Sequence, residues 1–246
     1  MSEHVRVEAE AGILTIAMER PQKKNALTRE MYAAMTQALQ RADADAAIRA
    51  VVFTGVPGAF SSGNDIGDFA AIAAGGDLPA EVPLFLHALA GAEKPLIAAV
   101  DGLAIGIGTT LLLHCDLAYA SPASQFRTPF LDLGLVPEAA SSLIAPRIMG
   151  HQRAFALLVL GEAFTAEEAR EAGLVHRVVD GGVTEAAMAA ARKLSQRAPE
   201  ALAIARGLVR GPREEITARI EEELTHFARR LRSPEAQAAF KAFLAR

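Results

Sequence analysis

The sequence holds a single cysteine, so no internal disulfide is possible. Cys115 sits in Leu113-His114-Cys115-Asp116-Leu117, the setting of a small buried hydrophobe rather than of a nucleophile or ligand. The six histidines are scattered without HxH, HExxH or Cys/His spacing, so no metal site is expected. Neither sign of charge dominates: 25 basic residues face 29 acidic ones for a net −4. That balance, with no lysine-dense helix, argues against a nucleic-acid partner or a membrane surface. No apolar run reaches the length of a bilayer span. The start Met1-Ser2-Glu3-His4-Val5 lacks both the basic opening and the apolar core of a signal peptide. A soluble cytoplasmic protein is the expectation. Its 51% apolar residues provide a large core in one domain, or one domain with an appendage.

What is present organises around Phe60-Ser61-Ser62-Gly63-Asn64-Asp65, which follows a buried strand expected at 49–54. Small residues let the backbone turn there, and Asp65 is placed to cap a helix running through Phe69. A strand-to-helix turn of this kind can leave backbone N–H groups unpaired and aimed into a cleft, where they hold an oxygen gaining negative charge. The pattern recurs: the apolar strand 96–100 runs into Asp101-Gly102-Leu103-Ala104-Ile105-Gly106-Ile107-Gly108-Thr109-Thr110 and then the apolar helix Leu111-Leu112-Leu113.

Elsewhere, residues 5–8 and 13–18 alternate around Ala11-Gly12 as a hairpin. Thr28 reads as the N-cap of a helix whose buried face is Met31, Met35, Ala38, Leu39 and Ala42. Gly75 to Pro79 is a flexible break and a candidate lid edge, followed by a helix at 82–90. A third core strand is expected at 117–120, with a short strand at 124–127 beside it. From about Ser141 the chain is mostly helical, with Thr165-Ala166-Glu167-Glu168 as a capping box and Gly173 as a C-cap. Ile216, Ile220, Leu224, Phe227 and Leu231 form an apolar stripe that packs on the core or against another subunit. The fold class is α/β, but periodicity alone does not separate a stack of ββα turns from a doubly wound sheet.

The two loops, with Cys115-Asp116-Leu117-Ala118-Tyr119-Ala120, Gly161-Glu162-Ala163-Phe164-Thr165-Ala166-Glu167-Glu168-Ala169 and Ala172-Gly173-Leu174-Val175, resemble the crotonase (enoyl-CoA hydratase/isomerase) superfamily over nearly the whole chain. The resemblance implies a ββα spiral core over 1–195 and a helical trimerisation region over 196–246. It implies a homotrimer or a dimer of trimers, and an acyl-CoA thioester substrate in which coenzyme A is part of the substrate, with no separate cofactor. It also implies that the backbone amides of Ser62 and Ile107 hold the thioester oxygen, although Ile107 replaces the glycine usual there. Ser61, Gly63, Asn64, Gly106 and Phe130 fall in the substrate cradle, and Asp65 fixes the loop. Lys23 and Lys24 lie where the family meets CoA phosphates, or form a solvated basic loop; Lys241 is a further candidate.

Superfamily membership leaves the reaction open. The two glutamates of the family's hydratases match Thr110 and Phe130 here, neither of which is an acid. Thr128-Pro129-Phe130, Leu133-Gly134 and Pro137-Glu138 with Ser141-Ser142 resemble instead the peroxisomal-type 3-enoyl-CoA to 2-enoyl-CoA isomerases, which assigns Glu138 as the catalytic acid/base. One carboxylate in an apolar pocket suits a double-bond shift, removing a proton at one carbon and returning it two carbons along. Phe130, Leu131, Leu135 and Phe85 are candidate walls; Asp132 is the alternative acid. The other readings are hydration with a water held by Glu138 alone, a different crotonase-type reaction, or a non-catalytic acyl-CoA-binding protein.

Overall fold

Ala11 and Gly12 both take positive φ, 48° and 79°, the turn geometry that matches the twist of paired strands. β1 (Val5–Glu10) and β2 (Ile13–Met18) accordingly pair antiparallel across them. The computed structural model describes residues 2–68 and 78–244. Beyond the hairpin the strands are β3 (Ala50–Thr54), β4 (Ala59–Ser61), β5 (Leu96–Val100), β6 (Leu103–Ile105), β7 (Leu117–Ala120), β8 (Gln125–Arg127), β9 (Phe164–Thr165) and β10 (Arg177–Val178). They form a six-stranded sheet, β1-β2-β3-β5-β7-β10, and a four-stranded sheet, β4-β6-β8-β9.

From β3 to β8 consecutive strands alternate between the two sheets. β3, β5 and β7 lie parallel and adjacent in the large sheet, while β4, β6 and β8 do the same in the small one. Each turn of the chain thus adds one strand to each sheet, which is the ββα spiral of the crotonase fold and not a doubly wound sheet. The turns stack at a corner: Leu103 N–H donates to Gly58 O at 3.2 Å, and Gln125 N–H to Gly102 O at 3.2 Å. Gly102 has φ 82°, and a Cβ there would lie 2.1 Å from Gly58 O, so only glycine fits. The same alternation corrects one expectation. The segment 124–127 is not beside β7; β8 belongs to the small sheet, between β6 and β9, because the corner at Ser124 redirects the chain.

The large sheet is covered on both faces, which is why its strands are apolar without interruption. Val51, Phe53, Leu96, Ala98 and Val100 face the main core. Val52, Ile97 and Ala99 face Val183, Ala187 and Ala191 of the helix Val183–Ser195. Helix α1 (Arg29–Ala44), capped by Thr28 as expected, packs against α2 (Glu81–Gly91). The short α3 (Ile107–Thr110) follows β6. α4 (Ser141–Phe155) is kinked at Gly150, whose φ of 77° and ψ of 164° break it in two. α5 (Ala166–Glu171) opens on the anticipated capping box. α6 is the sheet-covering helix Val183–Ser195, and α7 (Pro199–Arg210), α8 (Arg213–Leu231) and α9 (Pro234–Leu244) complete the chain. The stripe Ile216, Ile220, Leu224, Phe227 and Leu231 is buried inside this chain, where α8 packs on α2 and α4. Residues 66–68 are helical as expected, while the rest of that helix and most of the expected lid edge at Gly75 to Pro79 lie outside the described residues.

The corner yields a stability test. Gly102→Ala places a Cβ into Gly58 O and is expected to cost on the order of 3 kcal/mol in urea unfolding. Gly91→Ala, where a Cβ meets nothing within 4 Å, is expected to stay within about 1 kcal/mol of the parent.

Candidate active site

The two glycine-bearing loops lie against one another because their glycines leave room. A Cβ on Gly63 (φ 91°) would stand 3.0 Å from Ile105 O, and one on Gly108 would stand 2.8 Å from Ser61 O. The first loop is braced from below by Asn25, fully buried at φ 55°. Its Nδ2 donates to Ala59 O at 2.9 Å and Phe60 O at 3.1 Å, and its Oδ1 accepts from Arg20 N–H at 2.7 Å. Asp65 is tied to Arg20 by a 2.6 Å ion pair and accepts from Gly67 N–H at 2.9 Å. Burial pushes the Asp65 carboxyl up, but the Arg20 and Gly67 hydrogen bonds outweigh it and leave it below its ordinary value. Asp65 therefore fixes the loop, and Asn25 and Arg20 are the braces that motif reading missed.

The amides of these loops divide sharply between engaged and free. Ser62 N–H donates to Lys24 O at 2.9 Å, Gly63 N–H to Ser61 Oγ at 3.1 Å and Asp65 N–H to Leu27 O at 3.0 Å. The expectation that Ser62 offers its amide to an oxyanion is thereby corrected: the bridge to the basic loop has already claimed it. Asn64 N–H has no acceptor among the described residues, and it is the amide of this loop left to serve as a donor. In the second loop Gly106 N–H is bound to Arg127 O at 2.8 Å, whereas Ile107 N–H, at the start of α3, has no acceptor among the described residues. Ile107 is not among the residues at positive φ, so a β-branched side chain is accommodated. Ser61, only 1% exposed, spends its hydroxyl on Asn25 O at 2.8 Å; it shapes the loop and does not reach the cavity.

Glu138 lies on the turn before α4, 5% exposed. Its Oε1 accepts from Thr110 Oγ1 at 2.5 Å. Desolvation pushes the carboxyl up to about 8; the Thr110 hydrogen bond opposes this and the charge of Glu223 adds to it. Ala139 and Ala140 both have positive φ, 60° and 53°, an uncommon conformation for residues with a Cβ. His114 Nε2 donates to Ala139 O at 2.7 Å. Burial lowers His114 to about 4, so the ring is neutral and the carbonyl partner places its one proton on Nε2. The Glu138 field also reaches Tyr32, whose phenol is pushed well up by burial first and by Glu138 second. The Tyr32 hydroxyl bonds Asn64 Oδ1, so the carboxylate and the first loop share one buried neighbour.

A cavity of about 670 Å³ lies along the two loops. Its walls include Ser62, Gly63, Asn64, Gly106, Phe130 and Leu135, with Phe227 and Phe240 from the C-terminal helices. Glu138, Ile107, Ser61, Asp65 and Lys23 are not among the residues that line it. Two expected walls are also corrected. Phe85 is a core residue stacked edge-on against Tyr32 at 5.3 Å, and Leu131 is 49% exposed on the outside of its turn. Asp132 pairs with Arg127 at 2.7 Å at the cavity edge. Lys23 is exposed and contributes its carbonyl to Ser62 Oγ at 3.1 Å.

The raised Glu138 carboxyl sets a pH dependence of stability. It binds its proton more tightly folded, at about 8, than unfolded, near 4.5, so its contribution is complete below 4.5 and is lost as pH rises through 8. Glu138→Gln removes that loss. In denaturant unfolding the variant is expected to gain on the parent by at least about 1 kcal/mol between pH 5 and pH 8.5. A difference independent of pH would contradict the desolvation.

Comparison with known proteins follows the same lines. The family model described as enoyl-CoA hydratase/isomerase matches residues 8–246. Enoyl-CoA delta isomerase 2 of Rattus norvegicus is 36% identical over 252 residues, covering 100% of this chain and 64% of that protein. The chain thus spans less than two thirds of the rat protein. The 1,2-epoxyphenylacetyl-CoA isomerase of Escherichia coli strain K12 is 34% identical over 186 residues, 73% of this chain and 71% of that one. Among solved structures, Pseudomonas aeruginosa OdaA superposes with a TM-score of 0.94 at 46% identity over 100% of both chains. The enoyl-CoA hydratase/isomerase of Pseudoalteromonas atlantica T6c gives 0.93 at 38% identity over 99% and 97%. With its spiral of paired strands and its two facing glycine loops, the chain belongs to the enoyl-CoA hydratase/isomerase family, the crotonase superfamily.

Proposed function

We propose that the chain is an isomerase that moves the double bond of a 3-enoyl-CoA to the 2-trans position, with Glu138 as its single acid/base. The observation that carries this reading is the Glu138 carboxylate itself. It is buried, its proton affinity is raised to about 8, and it faces the Thr110 hydroxyl rather than a second acid. A base that titrates close to neutral can both take and return a proton.

In the proposed course, the thioester oxygen of a bound acyl-CoA accepts from the amides of Asn64 and Ile107. Glu138 removes a proton from the carbon between carbonyl and alkene, and the electron pair spreads to the thioester oxygen as a dienolate. The same carboxyl then returns the proton two carbons further along, so the new double bond is conjugated with the carbonyl and no atom is gained or lost. Each amide hydrogen bond is worth a few kcal/mol at an oxyanion of this sort. Phe130 and Leu135 wall the cavity with apolar surface, which favours an acyl chain and disfavours the water that hydration requires. Coenzyme A arrives as part of the substrate. Relatives named as delta isomerases support the reading, while the E. coli 1,2-epoxyphenylacetyl-CoA isomerase supports a different isomerisation on the same cradle. Homotrimer formation is proposed alongside it, supported by Leu208 and Val209 standing 81% and 88% exposed on α7, apolar surface of the kind subunits bury.

Glu138→Gln is expected to lower the rate of conjugation of a 3-enoyl-CoA, followed by thioester absorbance, at least about 100-fold, with acyl-CoA affinity nearly unchanged. Full activity in the variant would end the assignment. Incubation of the parent with a 2-enoyl-CoA is expected to yield no 3-hydroxyacyl-CoA; its rapid formation would favour a hydratase.

A further inference from the structure

The turn that carries Glu138 is closed locally by one backbone hydrogen bond, Ser141 N–H to Glu138 O at 3.1 Å. Ala139 and Ala140 are both left-handed, and Ala140, the N-cap of α4, has no side chain able to accept from the orphan amides of the first helical turn. The acceptor comes from 81 residues away: Glu223 Oε1 on α8 takes Ser142 N–H at 3.0 Å and Ser142 Oγ–H at 2.5 Å. Ser142 Oγ in turn accepts from Arg219 Nη1 at 3.2 Å. Glu223 is 6% exposed, and burial pushes its carboxyl up although the Ser142 hydrogen bonds oppose this. One helical turn along α8, Phe227 lines the cavity, so the helix that caps the turn also shapes the site.

We propose that Glu223 is a positioning residue for the reaction: it supplies from α8 the cap that α4 lacks, and so fixes the placement of the Glu138 carboxyl. The proposal rests on Glu138 being the acid/base. Alternatives for the same job are few. A local cap would need Ser, Thr, Asp or Asn at position 140, and the chain has Ala there. His114 restrains only the Ala139 carbonyl, and Thr110 only the carboxyl end. The charged and titratable groups around the pair are Arg219 and Glu222, ion-paired at 3.1 Å on the α8 side, with Tyr32 and His114 on the side of the core. Glu223 also adds to the proton affinity of Glu138 through like charge, so it acts on the base in two ways: by geometry and by field.

The two actions separate in Glu223→Gln and Glu223→Ala. Gln keeps an oxygen able to accept from Ser142 N–H but removes the charge; Ala removes both. The Glu138 titration is read without substrate, by difference infrared spectroscopy of the protonated carboxyl band that Glu138→Gln abolishes. Glu223→Gln is expected to lower its midpoint, since the like charge is removed, and to keep most of kcat. Glu223→Ala is expected to lower kcat on a 3-enoyl-CoA at least about tenfold with KM within about threefold, as displacement of a catalytic group does. An unmoved midpoint in Glu223→Gln together with unchanged kcat in Glu223→Ala overturns the proposal, as does a loss in Glu223→Ala that Glu223→Gln shares in full. If Glu223→Ala does not fold, the Glu223→Gln midpoint decides alone. If the parent turns over no 3-enoyl-CoA, a shifted midpoint retains Glu223 as the group that sets Glu138 while the isomerase reading falls.

Discussion

Keeping one carboxylate out of water, yet held at a fixed place, is the constraint on which the rest of this site depends. An isolated ionised carboxylate in an apolar surround is costly enough that the group takes up a proton instead. Glu138 meets that condition with a single hydroxyl, Thr110, for a partner, and its proton affinity rises accordingly. Pairing it with an arginine would have stabilised the ionised form and lowered that affinity. The nearby cations are engaged elsewhere: Arg20 with Asp65, Arg127 with Asp132, and Arg219 with Glu222 and Ser142.

The fold supplies the other half of the arrangement through distance rather than charge. Because each turn of the spiral adds one strand to each sheet, the ends of β4 and β6 arrive side by side although some 40 residues of chain lie between them. Glycine is needed where they touch, at Gly63 against Ile105 and at Gly108 against Ser61. That contact brings Asn64 and Ile107, whose amides lack acceptors among the described residues, onto neighbouring strands' ends. It also places Thr110, at the end of α3, on the Glu138 carboxyl.

The C-terminal helices are more than packing. Phe227, Phe240 and Phe243 line the cavity, and Glu223 holds the start of α4. A segment remote in sequence therefore lines the pocket and hydrogen-bonds the start of the helix that follows Glu138. Its polar contacts sit on the same helix whose apolar stripe, Ile216 to Leu231, anchors it to the core. Rigid packing of that stripe is what makes a cap delivered from α8 effective.

Much was legible in the chain alone. The hairpin at Ala11-Gly12, the cap at Thr28, the capping box at Thr165 and the apolar strands at 50–54, 96–100 and 117–120 are local features, set by turn chemistry and burial pattern. The family, and Glu138 as the candidate base, were readable from two loops and one proline-glutamate turn. The small sheet was not, because β4, β6, β8 and β9 have two or three residues each, too few for a period to show. Nor was the choice of amide. Ser62 and Asn64 stand two places apart in one loop, and only the packed neighbour Lys24 O determines which is already bonded. Phe85 as core rather than wall, Asn25 as a brace and Glu223 as a cap share that origin. Local propensity is written in adjacent residues, whereas the partner of a buried polar group is whichever atom the fold brings within 3 Å.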